Sequence, residues 1–186
     1  KIHKGERSVD DTIKYSLQLH DKLLVEGVLI PSKKRLTACV SSQVGCSLAC
    51  EFCATGKLKL ERNLTAAEIY DQVFILNEEA ISNFGQPLSN IVFMGMGEPL
   101  LNYNALLASI NFITTKQGMG MSPKRITVST AGISKMIKKL ADDEVRFNLA
   151  ISLHSSSNSK RDMLMPINQK INLTELRASV RYFYDK

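Results

Sequence analysis

Tryptophan is absent and aromatic residues make up only 6% of the 186 positions, so no run of stacking side chains marks a single-stranded nucleic-acid groove. Long apolar runs are missing as well. No window approaches the ~20 consecutive apolar residues of a membrane span, and the opening KIHKGERSVDD has no apolar stretch of the kind that directs secretion. No membrane association and a cytoplasmic location are expected. Cysteine is absent outside positions 39 to 53, where Cys39, Cys46, Cys50 and Cys53 are crowded together. A disulfide framework spreads its cysteines to staple distant segments, so this crowding favours a metal site in a reducing compartment. Internal repeats and low-complexity tracts are lacking too.

Hydrophobic residues reach 44%, enough to bury one sizeable core at this length, and a single domain with ornaments is expected. Lys and Arg number 24 against 18 Asp and Glu, a formal charge of +6. That balance suits a polyanionic partner, although charge alone leaves nucleic acid an open question.

Hydrophobic patterning divides the chain into alternating elements. Residues 12–19 (TIKYSLQL) and 23–30 (LLVEGVLI), with His20 and Asp21 between them, read as an antiparallel hairpin that carries Glu26 in mid-strand. The hairpin is expected to form an extension over residues 1–34, ahead of a core over 35–186. LTACVSS is the first core strand and runs into the cysteine loop at 45–60. Thr65 and Glu68 form a capping-box signature for a helix to about Asn83. Strands at 90–94, 125–129 and 146–153 then alternate with helices at about 103–116 and 133–142, and Asn172 with Glu175 opens a last helix. This alternation predicts an α/β fold with a parallel sheet, open or curled into a barrel, whose ligands collect where the carboxyl ends of strands meet the following loops.

The residues with chemical potential fall at those ends. Cys46, Cys50 and Cys53, spaced C-x3-C-x2-C, put three thiolates on one loop. Three ligands on a four-iron cluster leave one iron open, whereas electron carriers use four cysteines. An open iron can chelate the amino and carboxylate groups of S-adenosylmethionine and reduce its sulfonium. A zinc site is the competing reading, but zinc ligands usually come as two C-x2-C pairs, and no second pair exists. Gly97 and Glu98 follow the next strand, where glycine allows close approach of a ligand and a carboxylate accepts hydrogen bonds from an amino group. Ser129 follows the third strand, and Ser152, Leu153 and His154 the fourth.

CVSSQVGCSLACEFCATG, RNLTAAEI, MGMGEPLLN, ITVSTAGI, ISLH and RDMLMPIN occur in that order, and with them the chain closely resembles the RlmN/Cfr family of radical S-adenosylmethionine RNA methyltransferases. CVSSQVGC and GEPLLN are more like the C2-methylating branch than the C8-methylating Cfr branch. The resemblance implies a partial (βα)6 barrel, here incomplete, with a 4Fe-4S cluster on Cys46, Cys50 and Cys53. It implies S-adenosylmethionine contacts from Gly97, Glu98, Ser129, Ser152, Leu153 and His154. The implied reaction is methylation of adenine C2 in large-subunit (23S) ribosomal RNA and in transfer RNA through a methyl-cysteine, with an electron donor such as flavodoxin. Cys39 matches the family's second catalytic cysteine and Glu26 its proton acceptor, although Cys39 as thiolate is also able to take that proton. The family's methyl-carrying cysteine has no counterpart after Cys53, so these 186 residues by themselves are expected not to methylate RNA. A radical enzyme of another reaction class and a zinc-stabilised RNA-binding module remain the rival expectations.

Overall fold

The computed structural model describes residues 1–186. Its strands are β1 (Ile2–Arg7), β2 (Ile13–Gln18), β3 (Leu24–Ser32), β4 (Arg35–Cys39), β5 (Gln43–Val44), β6 (Arg62–Asn63), β7 (Asn90–Phe93), β8 (Ile126–Thr130) and β9 (Asn148–Ile151). The helices are α1 (Ala66–Phe84), α2 (Tyr103–Thr114), α3 (Ser134–Asp142), α4 (Asn158–Leu164) and α5 (Leu173–Asp185).

Seven strands form one sheet in the order β1-β2-β3-β4-β7-β8-β9. The first four are antiparallel and the last four parallel, so β4 belongs to both halves. The parallel strands lie in chain order with no reversal. Right-handed crossovers in an unbroken order put every connecting helix on one face, which is the winding of a barrel wall rather than of a doubly wound sheet. The fold is therefore the α/β arrangement that the alternation predicts, in the partly completed barrel form that the family resemblance implies.

The expected hairpin is present, with Ile13 opposite Leu29 and Gln18 opposite Leu24, and Lys22 takes φ 71° in its turn. It is larger than expected. β1 adds a further strand outside β2, and β3 pairs with β4, so the sheet is continuous through the turn at Lys33 and Lys34. The strand expected at 146–153 is shorter, Asn148–Ile151.

Period-two alternation sends the two faces of the sheet to different fates. On one face Leu17, Leu29, Leu36, Ala38, Ile91, Phe93, Ile126 and Val128 are buried at 0–2% exposure in the main core, together with Ile69, Val73 and Leu76 of α1. Tyr15 on that face donates its hydroxyl to Glu79 of α1 at 2.7 Å. The helix starts where the sequence predicts. Thr65 Oγ1 accepts the Glu68 amide at 3.1 Å, and Glu68 Oε2 accepts the Thr65 amide at 2.9 Å, a cap worth about 1 kcal/mol. Arg62 also grips Glu68 with two bonds of 2.8 Å. Together they hold the Glu68 carboxyl down to about 2, Arg62 contributing most.

Candidate functional site at the carboxyl ends of the strands

Beyond β4, residues Ser41, Ser42 and Gln43 are fully buried polar residues, and each is paired. Gln72 of α1 accepts the Ser41 amide at 2.9 Å and donates to the Ser41 carbonyl at 3.1 Å. Asn102 donates to the carbonyls of Ser42 and Leu64 at 2.9 and 2.8 Å. Gln43 donates to Asn63 at 2.7 Å and accepts the Glu98 amide at 2.8 Å. No buried side-chain N or O atom lacks a partner. This network and the short β5-β6 ladder clasp both ends of the cysteine loop, residues 45–61.

The loop folds back tightly. A Cβ at Gly56 would stand 2.6 Å from the Cys50 carbonyl oxygen, so only glycine fits there. Cys46, Cys50 and Cys53 line a cavity of about 260 Å³ with Gly97, Glu98, Ser129, Ser152 and His154. Sequence reasoning located all eight. The ring of Phe52, between the last two cysteines, stacks on His154 with centroids 3.9 Å apart and ties the loop to the end of β9. His154 itself holds φ 55°. Ser129 and Ser152 face each other across β8 and β9, with their hydroxyls 3.2 Å apart.

Leu153 points elsewhere. Its side chain lines a larger apolar groove of about 810 Å³ along α5, with Ile151, Leu176 and Val180, which contains none of the thiols or Glu98. The smaller cavity is the one that the three thiols and Glu98 line.

Gly97 has φ 94°, and a Cβ there would meet Gln43 at 2.5 Å. That turn drops Glu98 to 3% exposure, where Oε1 accepts the Leu100 amide at 3.0 Å and Oε2 the Ala131 amide at 2.7 Å. Burial pushes its carboxyl above the usual carboxylate range, against the pull of those amides. Glu98 thereby couples the loops after β7 and β8, and a carboxylate with four acceptor positions keeps capacity for another donor.

Cys39 and Glu26 lie on the helix-free face of the sheet. Val28 of β3 is opposite Cys39 of β4, and Glu26 lies two residues along β3 on the same face. Glu26 is half exposed and ion-paired with Lys14 of β2 at 3.0 Å. Cys39 is 8% exposed, and burial pushes its thiol up to about 11, the nearby Glu26 charge adding to the rise. Neither residue lines the cysteine cavity.

The three loop thiols suit a cluster. Burial pushes Cys50 up to about 11, and repulsion from Cys46 and Cys53 adds to it; burial raises Cys46 too. Thiols this close resist ionising together until a cation takes the protons' place. Three thiols lining one cavity are the donor set that a cluster with its ligands on separate irons would take.

Two features escaped sequence reasoning. Arg161 of α4, inside the RDMLMPIN block, is a fully buried cation behind the cavity wall. The Glu51 amide, between Cys50 and Cys53, donates to the Leu164 carbonyl at 3.0 Å and so rests the cysteine loop on α4.

Residues 40–186 match the family model of the radical SAM superfamily, and the chain belongs to that superfamily. The chain is 58% identical over its whole length to the probable dual-specificity RNA methyltransferase RlmN of Flavobacterium psychrophilum, covering 54% of that protein. It is 46% identical to the dual-specificity RNA methyltransferase RlmN of an Anaeromyxobacter species, over 96% of this chain and 48% of the other. A crystal structure of a radical SAM methyltransferase from Sphaerobacter thermophilus superposes with a TM-score of 0.94 at 39% identity, over 98% of this chain and 54% of that one. The chain spans about half the length of the curated relatives it matches. None of its helices is long and apolar enough to cross a membrane.

Proposed function

We propose that this chain is the radical-generating core of an RNA methyltransferase of the RlmN type, acting on adenine C2 in ribosomal and transfer RNA. The observation that carries the reading is the single cavity lined jointly by the three cysteines and by the loops after β7, β8 and β9. Cys46, Cys50 and Cys53 are the residues to hold a 4Fe-4S cluster. When bound, the cluster supplies the electron that cleaves the sulfonium of S-adenosylmethionine. Gly97 gives the cofactor backbone access, Glu98 accepts from its amino group, and Ser129, Ser152 and His154 line the remaining wall; Leu153 contributes its backbone. Residues 1–34 act as an extension of a core over 35–186. An electron donor such as flavodoxin serves the same cavity, and the site of action is the cytoplasm.

On the helix-free face, the carboxylate of Glu26 is the acceptor for the C2 proton. Burial holds Cys39 as a neutral thiol, so it must lose its proton before it makes the later attack that releases the methylated base.

The test is made in cells that lack adenine C2 methylation. The full-length gene that includes this chain is introduced, and adenosines from ribosomal and transfer RNA are resolved by mass spectrometry. A new C2-methyladenosine that disappears with Cys50→Ser is the expected result. Methylation at C8 would transfer the protein to the Cfr branch, and an unchanged RNA pool would overturn the proposal. Stoichiometric zinc without iron or sulfide after anaerobic reconstitution would replace it with an RNA-binding module.

A further inference from the structure

Arg161 is 1% exposed, and all its hydrogen bonds go to neutral acceptors. Nε donates to the Leu153 carbonyl at 3.1 Å, Nη1 to Asn168 Oδ1 at 2.7 Å, and Nη2 to the Ala131 carbonyl at 2.5 Å and the Ser152 carbonyl at 3.5 Å. These acceptors belong to the loops after β8, β9 and α4. Ala131 and Ser152 also line the cysteine cavity, as does Met165 at the end of α4. The guanidinium therefore sits directly behind the cavity wall.

A cation buried among dipoles, with no carboxylate bonded to it, is costly unless a negative charge lies within reach. The Asp162 carboxylate, next along α4, offers part of it, and the three thiolates that hold a cluster would bring the rest to the other side of the cavity wall. Three thiolates outweigh the two positive charges of an oxidised four-iron core, and one-electron reduction adds another negative charge. A fixed cation behind the wall favours that reduced state.

We propose that Arg161 is the built-in countercharge of the cysteine cavity, a positioning residue that braces the loops after β8 and β9 and eases reduction of the cluster. This rests on the cluster reading above. Arg161 touches none of the reacting atoms, so its role is electrostatic and acts through the loop.

Arg161→Gln removes the charge and keeps a donor for the Ala131 carbonyl, while Arg161→Lys keeps the charge and loses the fork. Both are prepared in the full-length protein, reconstituted anaerobically with iron and sulfide. Cluster content is measured, and the cluster midpoint is followed by electron paramagnetic resonance during a redox titration. The expected result is a more negative midpoint for Arg161→Gln, or failure to retain the cluster, with Arg161→Lys close to the unaltered protein. Equal midpoints for Arg161→Gln and the unaltered protein would overturn the proposal. So would equal shifts, or equal cluster loss, in both variants, since these assign Arg161 to bracing alone. Failure of the unaltered protein to take up iron and sulfide refutes the cluster reading itself, a separate outcome.

Discussion

The two faces of the sheet are made from alternate residues of the same strands, yet they serve different ends. One face is apolar, covered by helices and fully buried, as at Leu29, Leu36 and Ile91. The other carries Lys14, Glu26, Cys39, Ser129 and Ser152, with no helix over it. Because a strand's side chains alternate with period two, stability and chemistry occupy neighbouring positions while contacting different surroundings. Substitutions on one face should lower stability and leave the chemistry intact, and those on the other the reverse.

The sharpest break in that separation comes from Cys50→Ser, whose expected effect is loss of the cluster and of all cluster-dependent turnover. The unfolding midpoint of the metal-free protein should not move, because no core residue is touched; iron analysis and thermal melts check both halves. Glu26→Gln should slow methylation by roughly 10²- to 10⁴-fold, the usual worth of a positioned base, while cofactor cleavage and stability hold. Comparing the rates of 5'-deoxyadenosine release and RNA methylation measures that split.

On the helix-covered face, Leu36→Ala should cost about 2–5 kcal/mol in denaturant unfolding, with cluster content per folded chain unchanged. A smaller effect belongs to the start of α1. The Glu68 carboxyl lies at about 2 in the folded protein against an ordinary 4.5. Its contribution is present above pH ~4.5 and fades as the pH falls toward 2. Removing Arg62, its main partner, by Arg62→Met should flatten the acid limb of a stability-pH curve in that window, with little change in the relative slope above pH 5.

Much of this arrangement is legible in the sequence where local signals are strong. Thr65 with Glu68 and Asn172 with Glu175 both cap helices in the structure, because the capping interaction spans three residues and needs no tertiary context. The cysteine spacing and strand-end positions were enough to gather eight cavity residues. β1 was missed because all six of its residues are exposed, so no alternation marks it. α4 is only seven residues long and buries Arg161 alone, so it has no apolar stripe. Arg161 was missed for a related reason: a charged residue in a short polar run reads as solvated, and only the fold reveals the three loops that surround it. Leu153 was correctly placed after its strand, yet the direction of its side chain depends on the chain's turn at His154, which no local pattern encodes.

The β5-β6 clasp has a consequence for the lifetime of the site. Closing a loop costs chain entropy whether or not a metal is present. Here Gln43, Asn63, Gln72 and Asn102 fix both ends of residues 45–61 by hydrogen bonds alone. The entropy of bringing those ends together is met before any iron arrives. Damage to a cluster by oxygen would then loosen a tethered loop while the sheet beneath it stays folded, so the site lends itself to repair without refolding.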